Sequence, residues 1–125
     1  MADCSDHPGP GIDWTGCTKS NLLLGGEDLE NANLQRANLS ETDLREADLS
    51  GANMTETDLS RARLAKATLK GANFTKAMLI RADLQGADLS SAQLAKAELP
   101  RANLSNAILV GSSLEKAELG RAVLV

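Results

Sequence analysis

Aromatic residues are almost absent from this sequence. Trp14 and Phe74 are the only two in 125 residues, and there is no tyrosine. A core built from stacked rings is thereby excluded, so the interior must be aliphatic. So is a surface that reads single-stranded nucleic acid on aromatic platforms. Histidine occurs once, as His7, in a Gly/Pro-rich stretch that offers no ordered partner for acid–base work. Cysteine occurs twice, as Cys4 and Cys17. Together with His7 they lack a fourth ligand, and their spacing fits no standard zinc pattern. Long apolar runs are missing too, which excludes a membrane-spanning helix. Met1 is followed by Ala, Asp, Cys, Ser and Asp, so no secretory leader is expected. The cytoplasm is the default compartment, and there the two cysteines would be a reduced pair. A local disulfide closing the first loop is the alternative.

A dominant charge of one sign is also lacking: the net charge is −4. The distribution is uneven. Residues 1–30 carry six acids and one base, Lys19, whereas residues 61–125 carry five acids and ten bases. A chain of this length makes one domain at most.

What the sequence does have is a period of five. Every fifth residue from Leu29 to Leu124 gives twenty positions, filled by eighteen Leu, Met54 and Phe74. Two residues before each, from Ala32 to Ala122, nineteen positions hold sixteen Ala with Thr42, Thr57 and Ser112. Between the small and the large residue stands mostly Asn or Asp, as in Asn33, Asn38, Asp43 and Asp48. The unit is A-(N/D)-L-x-x.

Neither regular element accepts this period. On a helix, five residues advance about 500°, which spreads the leucines round the cylinder. On a flat strand an odd repeat throws each Leu to the opposite face. A short extended piece followed by a turn does fit. The small residue and the Leu then point inward together, the Asn or Asp points out, and the last two residues turn the chain. One unit buries its side chains only between stacked neighbours, which is the logic of a solenoid. Small residues beside large ones keep a narrow interior from overpacking.

About twenty such units in unbroken register resemble the pentapeptide-repeat family, with the motifs covering roughly residues 27–125. The resemblance implies an all-β fold, a right-handed quadrilateral β-helix with four pentapeptides per coil and about five coils. It implies a rod about 24 Å long at the parallel-strand spacing. Residues 1–24 are expected to be an N-terminal loop or cap segment and residues 25–125 the β-helix. Ile12 and Trp14 are the candidate N-terminal cap, Trp14 acting as a lid over the first layer with Leu22–Leu24 beside it. A ligand-stacking role for Trp14 is the alternative.

The C-terminal end has no such lid in the sequence. Leu119, Val123, Leu124 and Val125 are the candidate contact of a C-terminal homodimer, since an open ladder invites pairing. A frayed last turn is the alternative. Met78, Ile80, Ile108 and Val110 are further apolar residues at outward positions.

With four units per coil, residues twenty apart stack into columns. One corner column reads Glu41, Arg61, Arg81, Arg101, Arg121, and its four arginines are a possible partner-binding surface. Ordinary solvation of a repetitive rod is the bland reading. Columns such as Asp43, Arg63, Asp83 suggest cross-coil ion pairs. Asn and Asp are spread along the rod instead of converging, so no metal site is expected.

No catalytic constellation is present, so the sequence reads as a non-enzyme: a scaffold or protein-binding module without cofactor or metal. Its expected partner is an unidentified protein. Direct contact with nucleic acid is not expected. The resemblance supplies an alternative, a DNA mimic that occupies a type II topoisomerase and confers quinolone resistance. That mechanism wants a long, strongly negative rod, and residues 61–125 run positive by five charges. The family is common in bacteria, which makes a bacterial, cytoplasmic protein the expectation.

Overall fold

The computed structural model describes residues 2–125. The chain winds as a solenoid held by nineteen parallel bridges, from Asp13↔Asn33 to Asn103↔Val123, each joining residues twenty apart. Twenty residues are four pentapeptides, so four units complete a coil and the rod has four faces. Their outward columns begin at Asp13, Thr18, Leu23 and Asp28, and the faces are numbered first to fourth in that order. No helix occurs among the described residues.

One unit, Ala32–Arg36, shows why the repeat has its composition. The Ala32 N–H closes a turn by donating to Leu29 O at 3.0 Å. The Asn33 N–H donates to Ile12 O in the preceding coil at 2.8 Å, and the Leu34 N–H to Asn53 O in the following coil at 2.8 Å. The Arg36 N–H also reaches the following coil, at Thr55 O, 3.0 Å away. The remaining donor, the Gln35 N–H, is accepted by Asn33 Oδ1 at 3.2 Å. All five backbone donors are thus satisfied, one of them by the side chain of the Asn or Asp. The same Asx turn recurs at Asn38, Asp48, Asn73 and Asp88. A short side-chain acceptor two residues before a turn is what this geometry requires.

Pro100 confirms the assignment. It stands where that N–H would be, after Glu98, in the turn closed by the Ala102 N–H on Leu99 O at 3.1 Å. A residue with no N–H leaves nothing unsatisfied there.

The last residue of every unit has positive φ, at every fifth position from Gly11 to Arg121. Sixteen of these are not glycine, and they include Arg61, Lys76 and Arg101. With negative φ before it, this is the signature of a type II turn. Each non-glycine residue there costs about 1 kcal/mol. The ladder bonds on either side hold the conformation against that cost.

The interior consists of the small and large columns. Leu29 to Leu104 and Ala32 to Ala102 are buried throughout, with Met54 and Phe74 among them. Trp14, Met54 and Phe74, the aromatic and thioether departures from Leu, share one inward column and stack in it with Leu34 and Leu94, while Lys19 stands at a leucine position of another column. The adaptable Met54 thioether lies next to the larger Phe74 ring, where a flexible filler suits the packing. Thr42 and Thr57 replace Ala at no polar cost: their hydroxyls donate to Lys19 O at 2.9 Å and Leu34 O at 2.6 Å.

The N-terminal region departs from expectation in three ways. First, the ladder begins at Asp13, so residues 11–24 already form coil instead of a loop. Inward positions need only apolar or compact side chains, and Ile12, Trp14, Cys17 and Leu24 supply them without matching A-(N/D)-L. Second, Trp14 is a core residue, 1% exposed, in the leucine column. Of the three leucines expected beside it only Leu24 is buried; Leu22 and Leu23 face solvent. Third, the reduced-pair reading is corrected: Cys4 and Cys17 form a disulfide. Cys17 occupies a small inward position, and the preceding segment folds back over the end, bringing the two Cα atoms to 5.5 Å. Lys19 Nζ donates to Cys4 O and lies 4.5 Å from the centre of the Trp14 ring. Ala2 packs on the core as well. Counted from residue 11, the solenoid makes nearly six coils, against the five expected from residue 25.

Candidate interaction surface

The interior is filled with aliphatic side chains, so the chemistry of this molecule lies on its outside. The third face is the most distinctive. Its corner column places Arg61, Arg81, Arg101 and Arg121 one above another, all exposed and all with φ near 60°. At the parallel-strand spacing of about 4.8 Å, neighbouring charges repel by at most about 0.9 kcal/mol in water. No carboxylate among the described residues comes within ion-pairing distance of them, although Glu41 stands one coil below Arg61 in the same column and lines a groove with it. The one ion pair among the described residues is Arg45–Asp43, at 2.7 Å. Glu98 and Glu118, on the adjoining second face, form none with the column.

The expected cross-coil pairs are therefore absent, and Asp43 shows why. Its carboxylate serves its own turn. It accepts the Arg45 backbone N–H at 3.1 Å and is gripped by the Arg45 guanidinium through Nε at 2.9 Å and a terminal nitrogen at 2.7 Å. Those bonds, the side-chain ones foremost, hold its carboxyl down to about 2. Asp88 is likewise lowered, first by the Ser90 hydroxyl and then by the Ser90 N–H. Arg63, directly above Asp43, forms no ion pair with it and adds only the last of the charges that lower its carboxyl.

At the foot of the arginine column lies a groove of about 310 Å³, lined by Asn21, Leu22, Leu23, Glu41, Asp43, Arg61 and Arg63. Leu23 forms its apolar wall and is 86% exposed. It stands at an outward position that holds Asp43, Arg63, Asp83 and Asn103 in the next coils. Leu22 occupies a small-residue position, too large for the interior there, and is partly turned out. Neither was singled out as a surface residue by the sequence reading. Counting back twenty from Asp43 would have placed Leu23 outside.

The C-terminal end is open. Among the described residues the N–H groups of Leu109, Gly111, Leu114, Lys116, Leu119, Arg121 and Leu124 make no backbone bond. Leu124 is 55% and Val125 92% exposed. Val123 is exposed on the third face, and Leu119 is half-buried. Ile108 lies on the fourth face with Val110 at one of its corners and Val125 at the other, whereas Met78 lies on the second face and Ile80 at the corner it shares with the third. Ile12 and Trp14 lie at the opposite end, inside the rod. One acidic group, Asp28, Glu30 and Asp48, gathers carboxylate oxygens within 4.8 Å on the fourth face, and Asp28 Oδ1 already accepts the Glu30 N–H. No helix of the described residues is long and apolar enough to cross a membrane.

Comparison with known proteins fits this geometry. The family model for pentapeptide repeats matches with eight copies, over residues 28–61, 57–92 and 87–124. No curated protein sequence matches the chain. Among solved structures it is similar to the pentapeptide repeat protein Rfr23 of the cyanobacterium Cyanothece 51142. Identity is 30% over 90% of this chain and 88% of that one, with a TM-score of 0.69. It is also similar to trypsin-treated QnrB1, a plasmid-mediated fluoroquinolone resistance protein, at 22% identity and a TM-score of 0.85 over 90% of this chain and 58% of that one. A pentapeptide repeat protein of the Arabidopsis thaliana thylakoid lumen matches at 24% identity and a TM-score of 0.54, over 86% of this chain and 61% of that one. At these last two identities the likeness speaks for the fold alone.

Proposed function

This chain belongs to the pentapeptide-repeat family, and on that premise we propose that it is a non-enzymatic, protein-binding scaffold whose partner docks along Arg61, Arg81, Arg101 and Arg121. The observation that carries the proposal is that column: four exposed guanidiniums, stacked, with no carboxylate partner, on a rod whose interior has no room for a substrate. Right-handed winding, the family's habit, completes the proposed architecture as a quadrilateral β-helix. The test is charge reversal. Arg81→Glu with Arg101→Glu keeps the fold, because Glu41, Glu46 and Glu56 already occupy the same turn position. Partners captured by the unmodified protein and lost by this variant support the reading; an unchanged set refutes it.

The C-terminal coil is proposed as a homodimer contact through Leu119, Val123, Leu124 and Val125, its unpaired N–H groups and exposed valines being the support. A rod this narrow offers less end area than the roughly 1,000–2,000 Å² of stable interfaces, so the dimer is weak to moderate. Sedimentation across a concentration series tests it, and a monomer at high micromolar concentration ends it. The DNA-mimic alternative draws on the fold shared with QnrB1. The positive third face opposes it, and protection of a type II topoisomerase from a fluoroquinolone in a supercoiling assay would reinstate it. The disulfide fits an oxidising compartment better than the expected cytoplasm. Thiol counting on protein taken from its native cells decides between them.

A further inference from the structure

From the third coil upward, the third face and its two corners carry six bases, Arg61, Arg63, Lys66, Arg81, Arg101 and Arg121, against one acid, Asp83. Below them the same face changes character. Asp43 is neutralised by Arg45, and the groove ends on the exposed apolar wall of Leu22 and Leu23. An outward leucine at the foot of a column that is polar from Asp43 to Asn103, and a run of unpaired guanidiniums beside it, are thus continuous along one face. We infer that this face binds an extended acidic segment of a protein, with one apolar side chain of that segment seated in the Leu22–Leu23 groove and its carboxylates aligned on the arginines above. The inference rests on the arginine column being the docking surface and adds the chemistry and polarity of what docks.

The dimensions agree with an extended peptide. Leu23 and Arg63 are two coils apart, about 10 Å, and Arg61 and Arg121 are three coils apart, about 14 Å. An extended chain repeats a side chain on one face about every 6.7 Å. An apolar residue followed by acids two, four and six positions later therefore keeps all four side chains on one face and spans the groove and the lower three arginines of the column. Charge complementarity selects the acids, and a partly desolvated guanidinium pairs with a carboxylate through two parallel N–H donors. Nucleic acid fits less well, because its backbone offers nothing apolar for the groove and both aromatic side chains of this protein are buried.

The test uses the full-length protein and a fluorescein-labelled eight-residue peptide with leucine at position 1, glutamate at positions 3, 5 and 7, and serine elsewhere. Fluorescence anisotropy at low salt should show saturable binding that weakens as salt is raised. Serine in place of the peptide leucine should weaken it about tenfold. The Leu23→Ser variant should lose a similar factor for the leucine peptide and little for the serine peptide, so that the two changes are not additive. Arg81→Glu with Arg101→Glu should abolish both. If the leucine and serine peptides bind alike, the groove is no anchor and the inference falls, while loss in the double-Glu variant would still uphold the arginine column. If no acidic peptide binds, both fall. Tighter binding to a twelve-nucleotide single strand or to phosphatidylserine vesicles than to the peptide overturns the inference and the protein-partner reading with it.

Discussion

Removing the Cys4–Cys17 disulfide should loosen one end of the rod and leave the remainder standing. The bridge closes a loop with a sequence separation of 13 residues. Constraining a loop of that length in the unfolded chain stabilises by about 3 kcal/mol in the chain-entropy treatment. In a solenoid each coil contacts only its neighbours, so this loss falls on the first coil instead of being shared. The suitable variant is Cys4→Ser with Cys17→Ala, because position 17 belongs to the small inward column and alanine fits there. The readout is built in. Trp14 is the single tryptophan, buried in the first coil beneath the segment that the disulfide tethers. In the variant its emission should shift to the red and acrylamide should quench it more strongly. On urea titration its fluorescence should change before the far-ultraviolet circular dichroism of the whole rod, whereas in the oxidised protein the two transitions lie closer together. Quenching that stays unchanged would show that the end is closed by Ala2 and Lys19 alone and that the tether contributes nothing there.

Leu84→Asp puts an unpaired carboxylate at a fully buried position, a cost of several kcal/mol. Thermal melting should show loss of the cooperative transition, whereas Asn103→Asp, which keeps the oxygen that accepts the Ser105 N–H, should melt almost as before. Gly71→Ala should cost about 1 kcal/mol from its φ of 69° alone, since a Cβ there meets nothing within 4 Å. Lys76→Asn should stabilise by up to about 1 kcal/mol, because asparagine tolerates the left-handed turn position better; equal denaturation midpoints for Lys76→Asn and the unmodified protein would count against strain at the corners. The folded Asp43 carboxyl lies near 2, below its ordinary 3.8. Its stabilisation is therefore fully present above about pH 4 and lost as the pH falls towards 2. A carboxyl titration followed by NMR should show this, and Arg45→Ala should return Asp43 towards the ordinary range.

The spacing of Leu and Ala determined by itself that neither helix nor flat strand was possible, and that Leu84, Ala92 and their equivalents point inward. A five-residue period with a two-residue separation has one physical solution, a short extended piece and a turn. The preference for Asn and Asp was visible too, but its cause was not. Only the coordinates show Oδ1 taking the N–H two residues on, because a hydrogen bond is a matter of direction as well as composition. The coil of twenty residues, read from bridges such as Asn53↔Asn73, needed the tertiary structure, since a period of five says nothing of how many units close a turn. The same holds at the rod's first coil. Ile12, Trp14 and Cys17 do not spell the repeat, and packing against Leu34 and its neighbours is what draws them into register. The surface was the least legible part. Opposite charges twenty residues apart looked like ion pairs, yet Asp43 turned to its own Arg45. A carboxylate bonds the donor its backbone brings nearest, and that choice left the arginines of the third face free.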